Sequence, residues 1–193
     1  MSRSLRIAIA DDEVAVQDFY AQTLQALGHE VVCRATTGEQ LVAGCRRALP
    51  DLVISDSQMS DMSAAEAAGR LACTRPTPWI VFATGEETEW TGRSDTIVGH
   101  LHKPLRQAEL HETIPRSLER FAMVRREADE EAARLRQSLQ DHRLVERAKS
   151  NVMHDQALDE GGALRWLQEH ASDRGLSLAD FARKVTRQPT QGR

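Results

Sequence analysis

The sequence predicts a doubly wound α/β domain with a five-stranded parallel sheet, followed by a coiled-coil helix and a small all-α domain of three helices. Short apolar runs alternate with helical patterns through the first 105 residues, the order that builds a parallel sheet with helices on both faces. From about residue 106 apolar positions recur at threes and fours among mixed charges. Two short helical segments then follow residue 154, separated at a glycine.

Each element has its own signal. IAIA before Asp11 reads as the first strand. Residues 14–27 place Val16, Phe19, Tyr20, Leu24 and Leu27 at helical spacing, and Gly28 stops them. EVVCRA is a strand, TGEQLVAGCRRALP a helix closed by Pro50, and LVIS before Asp56 the next strand. WIVFA before Thr84 and VGHLH before Lys103 complete the five. Between Thr84 and Val98 the apolar pattern thins, which predicts a short helix or a loop.

Ile114, Leu118, Phe121, Val124, Ala128, Ala132, Leu135, Leu139, Val145, Ala148 and Val152 form the apolar stripe of the long helix, read as a coiled-coil seam. Pro115 predicts a kink or break near residue 114. The last two helices are expected within DQALDEGGALRWLQEHASDRG and LSLADFARKV, with Asp159 and Ser177 as N-caps, and with Asp180 three residues after the serine. The expected divisions are residues 1–118, a linking coil at 119–138, a three-helix domain at 139–188 and a frayed tail at 189–193.

Composition narrows the class. No run of 18 or more apolar residues occurs, and the N-terminus lacks a signal-peptide pattern, so a soluble cytoplasmic protein without membrane attachment is expected. Cys33, Cys45 and Cys73 lack metal-ligand spacing, and reduced, mostly buried thiols are expected. Residues 1–105 hold nine Lys/Arg against fourteen Asp/Glu, whereas residues 139–193 hold nine against eight. The acid excess therefore lies in the first domain, and net charge alone gives no argument for nucleic-acid binding in the last.

The chemistry-bearing residues follow the strands. Asp11, Asp12, Asp56, Thr84 and Lys103 each sit at the carboxyl end of a predicted strand, where the crevices of parallel α/β sheets bind ligands. Three carboxylates brought together repel one another, and a hard divalent cation such as magnesium is the natural compensation. One carboxylate can then attack phosphorus while an ammonium and a hydroxyl hold the phosphoryl oxygens. Taken singly, each residue reads as a cap or turn, and their joint order favours the site.

On IAIADDE, DLVISDSQMSDM, VFATG and LHKPL, residues 4–118 resemble the receiver domain of two-component response regulators, a flavodoxin-like fold. The resemblance implies Asp56 as phosphoacceptor, with Asp11, Asp12, Asp56 and the Gln58 backbone carbonyl holding Mg2+. It implies that Thr84 and Lys103 bind the phosphoryl group, and that a sensor histidine kinase donates it. Such a domain catalyses its own modification and is not a turnover enzyme. Ser60 stands where the family usually has proline, and His100 stands where an aromatic switch residue partnering Thr84 is common.

Residues 135–187 resemble the ANTAR domain, a three-helix RNA-binding module of transcription antitermination regulators. ERAK with Met153, then Ala163, Leu167 and Ala171, then LADFA carry the likeness, and Asn151 departs from it. The family implies dimerisation through a preceding coiled coil and binding of paired RNA stem-loops that prevents termination. Lys149, Arg143, Arg147, Arg165, Arg183 and Lys184 are the candidate RNA contacts, while Trp166 is read as core before stacking surface. Two alternatives stand beside this: a DNA-binding helix-turn-helix in the final helices, and a dimeric coiled-coil adaptor for partner proteins.

Overall fold

The computed structural model describes residues 3–83, 95–103 and 106–187. Contacts divide the chain into Met1–Arg126 and Glu127–Arg193. The first unit holds five strands, β1 (Arg6–Ala10), β2 (Glu30–Ala35), β3 (Leu52–Asp56), β4 (Trp79–Ala83) and β5 (Ile97–His102). All pairs are parallel, in the order β2-β1-β3-β4-β5. The five-stranded parallel sheet is therefore the one the sequence predicts.

Alternation along the strands creates two apolar layers. Ala8, Ala10, Val53, Trp79 and Val81 face α2 (Gly38–Ala48) and α3 (Ala64–Ala72). Their neighbours Ile7, Ile9, Leu52, Ile54, Ile80 and Phe82 face α1 (Val14–Ala26) and the first turns of α4 (Gln107–Gln156). A central strand buried on both faces disfavours polar positions, which is why IAIA, LVI and WIVF are continuous apolar runs. The helix α3, built on AAEAAGRLA, has no counterpart in the sequence-based reading. Its alanines Ala64, Ala67 and Ala68 are buried and let it approach the sheet closely.

Pro115 does not break the chain. The helix α4 continues through it from Gln107 to Gln156. Proline there forfeits the bond its N–H would make to the His111 carbonyl. The thin stretch after Thr84 lies outside the described residues, as does the tail beyond Arg187. Of the cysteines, Cys45 is buried, Cys33 half-buried and Cys73 exposed, so the expectation of burial fails at the end of α3.

The second unit is built from the carboxyl part of α4, α5 (Glu160–Ser172) and α6 (Leu178–Arg187). Ala148 and Val152, Ala163, Leu167 and Ala171, and Phe181 and Ala182 form its core. Both predicted caps are present. Asp159 Oδ1 accepts the Gly162 N–H at 2.7 Å, and Ser177 Oγ accepts the Asp180 N–H at 3.1 Å. Gly175 turns the chain between the helices at φ +61°, a conformation a side chain would strain.

The long apolar stripe has more than one fate. Ile114 and Leu118 pack into the first core, and Val145, Ala148 and Val152 into the second. Leu135 and Leu139 remain 58% and 60% exposed.

Candidate functional site

The carboxyl ends of β1, β3 and β5 bring the predicted acidic residues and lysine together. Ala10 pairs with Ser55, so Asp11 and Asp56 emerge side by side one residue later. Asp11 is fully buried, Asp56 partly so and Asp12 exposed, and an oxygen from each lies within 4.8 Å of the others. Lys103, directly after β5, donates to Asp11 Oδ2 at 2.9 Å and to Asp56 Oδ2 at 2.8 Å. The remaining oxygens are held by backbone: Asp11 Oδ1 accepts the Glu13 N–H and Asp56 Oδ1 the Ser57 N–H.

Burial by itself would ease the proton off Lys103, but hydrogen bonds and charge from Asp56 and Asp11 outweigh it and hold the ammonium above the ordinary lysine range. The Phe82 ring lies 5.9 Å from Nζ, within cation–π reach. Tyr20 stacks on Phe82 with centroids 4.6 Å apart, and burial pushes its phenol well above the ordinary value. Gln17, which the sequence reading passed over, donates to the Asp11 and Ala35 carbonyls at 2.7 and 2.8 Å. It thereby fixes the ends of β1 and β2 relative to each other. Its signal was a polar residue inside an apolar helical stripe.

The turn after Asp56 is anchored by another residue that was passed over. Asp61 accepts the Gly38 N–H at 2.6 Å and the Glu39 N–H at 2.9 Å, tying the turn to the amino end of α2. Those bonds, Glu39 first and Gly38 second, hold its carboxyl below the usual value. A side chain at Gly38 would collide with Met62, so glycine is what lets the turn sit so close. Gln58 and Ser63 bridge the turn, and Ser63 with Glu66 forms a capping box on α3. With Ser60 in place of a stiffening proline, these contacts fix the turn that carries Gln58.

Thr84 lies outside the described residues. His100 lies on β5 beside Val81, its residue surface open to solvent but its ring partly shielded, and that partial burial, then Arg120 and His102, lower its pKa.

In the second unit the basic candidates separate into two groups. Lys149 is committed internally: it contacts Glu146 at 2.8 Å and Glu160 at 2.6 Å, and its side chain is 13% exposed. Arg183 likewise pairs with Asp180 at 2.8 Å and Asp141 at 3.5 Å. Arg143, Arg147, Arg165 and Lys184 are exposed. Trp166 is half-buried against the core and stacks on His170 at 4.0 Å, with Phe181 at 6.1 Å.

Residues 7–115 match the response regulator receiver domain family, more than half of the chain, and residues 133–185 match the ANTAR domain family. The chain belongs to the response regulators. Over 93% of this response regulator and 88% of the relative, it is 29% identical to the transcriptional regulatory protein PdtaR of Mycobacterium tuberculosis. Among solved structures it resembles the anti-anti-sigma factor PhyR of Bartonella quintana, at 23% identity and a TM-score of 0.52, over 69% of this chain and 53% of that one. The chain thus spans about half the length of that PhyR. It also resembles the chemotaxis response regulator CheY4 of Vibrio cholerae, at 25% identity and a TM-score of 0.51, over 60% of this chain and 99% of that one. With a receiver domain joined to an ANTAR output domain, the regulator is a regulatory protein rather than a classical enzyme. No helix among the described residues is long and apolar enough to cross a membrane.

Receiver domains generally bind Mg2+ at an acidic pocket, and the donors of this regulator suit it. They are carboxylate oxygens, the hard ligands magnesium prefers. Among the described residues three carboxylates face a single ammonium, an imbalance that a divalent cation offsets.

Proposed function

We propose that Asp56 accepts a phosphoryl group from a phosphohistidine of a sensor histidine kinase, and that this controls RNA binding by the ANTAR domain. The observation that carries the first half is the Lys103 ammonium shared between Asp11 and Asp56 at 2.9 and 2.8 Å. An Asp56 carboxylate oxygen forms the bond to phosphorus as the phosphorus–nitrogen bond breaks, and the departing imidazole nitrogen takes a proton. Water later attacks phosphorus and releases inorganic phosphate, returning the carboxylate.

Asp11, Asp12, Asp56 and the Gln58 carbonyl would hold Mg2+, whose charge offsets the carboxylates and the developing charge on phosphoryl oxygens. Lys103 is poised to follow the charge from carboxylate to phosphoryl oxygen while keeping Asp11 as its second partner. Thr84 would donate to a second phosphoryl oxygen. His100 occupies the switch position without the usual apolar ring, so its imidazole would have to shift differently.

For the output, a homodimer formed over the exposed Leu135 and Leu139 would place two ANTAR modules on paired RNA stem-loops, gaining effective concentration and preventing termination. The exposed Arg143, Arg147, Arg165 and Lys184 are suited to phosphates, whereas Lys149 and Arg183 brace the module through their ion pairs. Protein in the cytoplasm, where transcripts are made, is the setting this reading requires.

Acetyl phosphate with Mg2+ tests the input. Wild type should incorporate label and Asp56→Asn should not; equal incorporation would sink the assignment. Filter binding to stem-loop RNA and duplex DNA tests the output, with preference for the duplex favouring a helix-turn-helix and retention of neither favouring a protein adaptor.

A further inference from the structure

The cavity at the amino ends of the strands has no part in the acidic pocket, which lies at their carboxyl ends. Leu5 precedes β1, His29 precedes β2, Asp51 precedes β3 and Pro78 precedes β4, and all four line it. The helix α4 supplies Ile114, Leu118 and Phe121 to its wall. Its volume is about 570 Å³, within the range of about 300–1,000 Å³ typical of small-molecule sites.

The lining divides by chemistry. Leu5, Leu27, Ile114 and Leu118 belong to one continuous apolar layer. Against it stand two guanidinium groups, Arg3 and Arg75, two imidazoles, His29 and His111, and a single carboxylate, Asp51. Asp51 already accepts the Arg6 N–H at 3.0 Å, and one nitrogen of Arg75 reaches the Leu49 carbonyl at 3.4 Å. The permanent charges therefore leave an excess of one cation. His29 Nδ1 accepts the Leu5 N–H at 3.4 Å, so the neutral ring keeps its proton on Nε2 and offers a donor. Burial, and then His111, lower the basicity of His29, which keeps it neutral near pH 7. Pro50, Pro76 and Pro78 stiffen the backbone around the cavity, so little ordering is needed when it fills.

We propose that this cavity is a second input site that binds a small amphipathic carboxylate, its head on Arg3 and Arg75 and its aryl or branched-alkyl body on the leucines and Ile114. An uncharged apolar molecule leaves the excess cation without a counter-charge. A compact inorganic anion leaves the apolar wall unfilled. Ligand bound there touches α4 along His111 to Phe121, the amino-terminal part of the helix that runs on to Gln156. The site does not depend on phosphorylation of Asp56.

The test is titration of the 15N-labelled full chain with benzoate, phenylacetate and 4-methylpentanoate, using benzyl alcohol as the uncharged counterpart. Saturable amide shifts are expected around Leu27 to His29 and at Leu118, with carboxylates bound about tenfold more tightly than the alcohol, the worth of one charge-assisted contact. Arg75 is exposed, so Arg75→Gln should keep the melting temperature and weaken the carboxylates by a similar factor. Three results overturn the proposal: no saturable shift with any carboxylate, equal affinity for the alcohol, or unchanged carboxylate affinity in an Arg3→Gln/Arg75→Gln double variant.

Discussion

Replacing Gly99 with alanine probes how α4 is seated on the sheet. Gly99 is buried in β5, and Ser117, 2% exposed, faces it from α4. A methyl at residue 99 would overlap Ser117 Oγ outright and lie 3.0 Å from Ile80 Cγ1, while Ser117 Cβ stays at 3.4 Å. Overpacking of a close-packed core costs about 1–3 kcal/mol. At about 4 °C per kcal/mol for a domain of this size, Gly99→Ala should lower the melting temperature by about 4–12 °C. The overlap is almost wholly with one oxygen, so Ser117→Ala should relieve it and leave only the tight Ile80 contact. In a double-mutant cycle measured by calorimetry, the pair should recover about 1–2 kcal/mol relative to the sum of the single variants. Additivity within about 0.5 kcal/mol would refute the claim that glycine is required there by α4.

Asp61→Ala should slow labelling by acetyl phosphate and weaken its Mg2+ dependence, because the turn carrying Gln58 loses both bonds to α2; unchanged labelling at limiting Mg2+ would count against the tether. Lys149→Met should lower the melting temperature of the second unit and RNA retention together, whereas Arg147→Ala should reduce retention alone. A Lys149→Met protein that melts like wild type yet loses RNA would make Lys149 a direct contact. The pH dependence has a defined sign: His29 and His100 have folded pKa values below the ordinary 6.5, so the unfolded chain takes up protons first as pH falls. Stability should thus be full above about pH 6.5, decline as pH drops toward the folded values and then level off, and calorimetry should find a shallower decline for His29→Gln.

Strand and pocket were legible in the sequence for one reason. A parallel sheet buried on both faces writes predominantly apolar runs, and polar residues at the carboxyl end of each run lie at the crevice. Asp11, Asp56 and Lys103 could be found this way, although Ser55 interrupts the run before Asp56, and His100 and His102 the run before Lys103. Asp61 could not, since its partners are backbone N–H groups of α2, 23 and 22 residues away. The seam reads as one stripe because spacing cannot say what an apolar residue faces. Its positions step by threes and fours from Ile114 to Leu139 and then by six to Val145, which turns the stripe about 120° around the helix. The residues after that step are those that enter the second core. Lys149 was read as an RNA contact by its motif, yet its charge is met by two glutamates, one of them 11 residues away on α5.

The same geometry bears on how a change at Asp56 would reach α4 without a tyrosine or phenylalanine at position 100. Coupling requires an element with two arrangements that both sites bias. Under the proposed phosphorylation Lys103 would be such an element, because its ammonium is shared between Asp11 and Asp56 and a phosphoryl group on Asp56 would compete for it. It directly follows β5, and Gly99, four residues earlier on that strand, has no side chain to cushion Ser117 of α4. A displacement of Lys103 would then be passed along one short strand to a tightly packed contact, and close-packed contacts of that kind transmit strain rather than absorb it. The route needs no rotamer switch at His100. On this account, Gly99→Ala should alter the response of α4 to phosphorylation even under conditions where the domain stays fully folded.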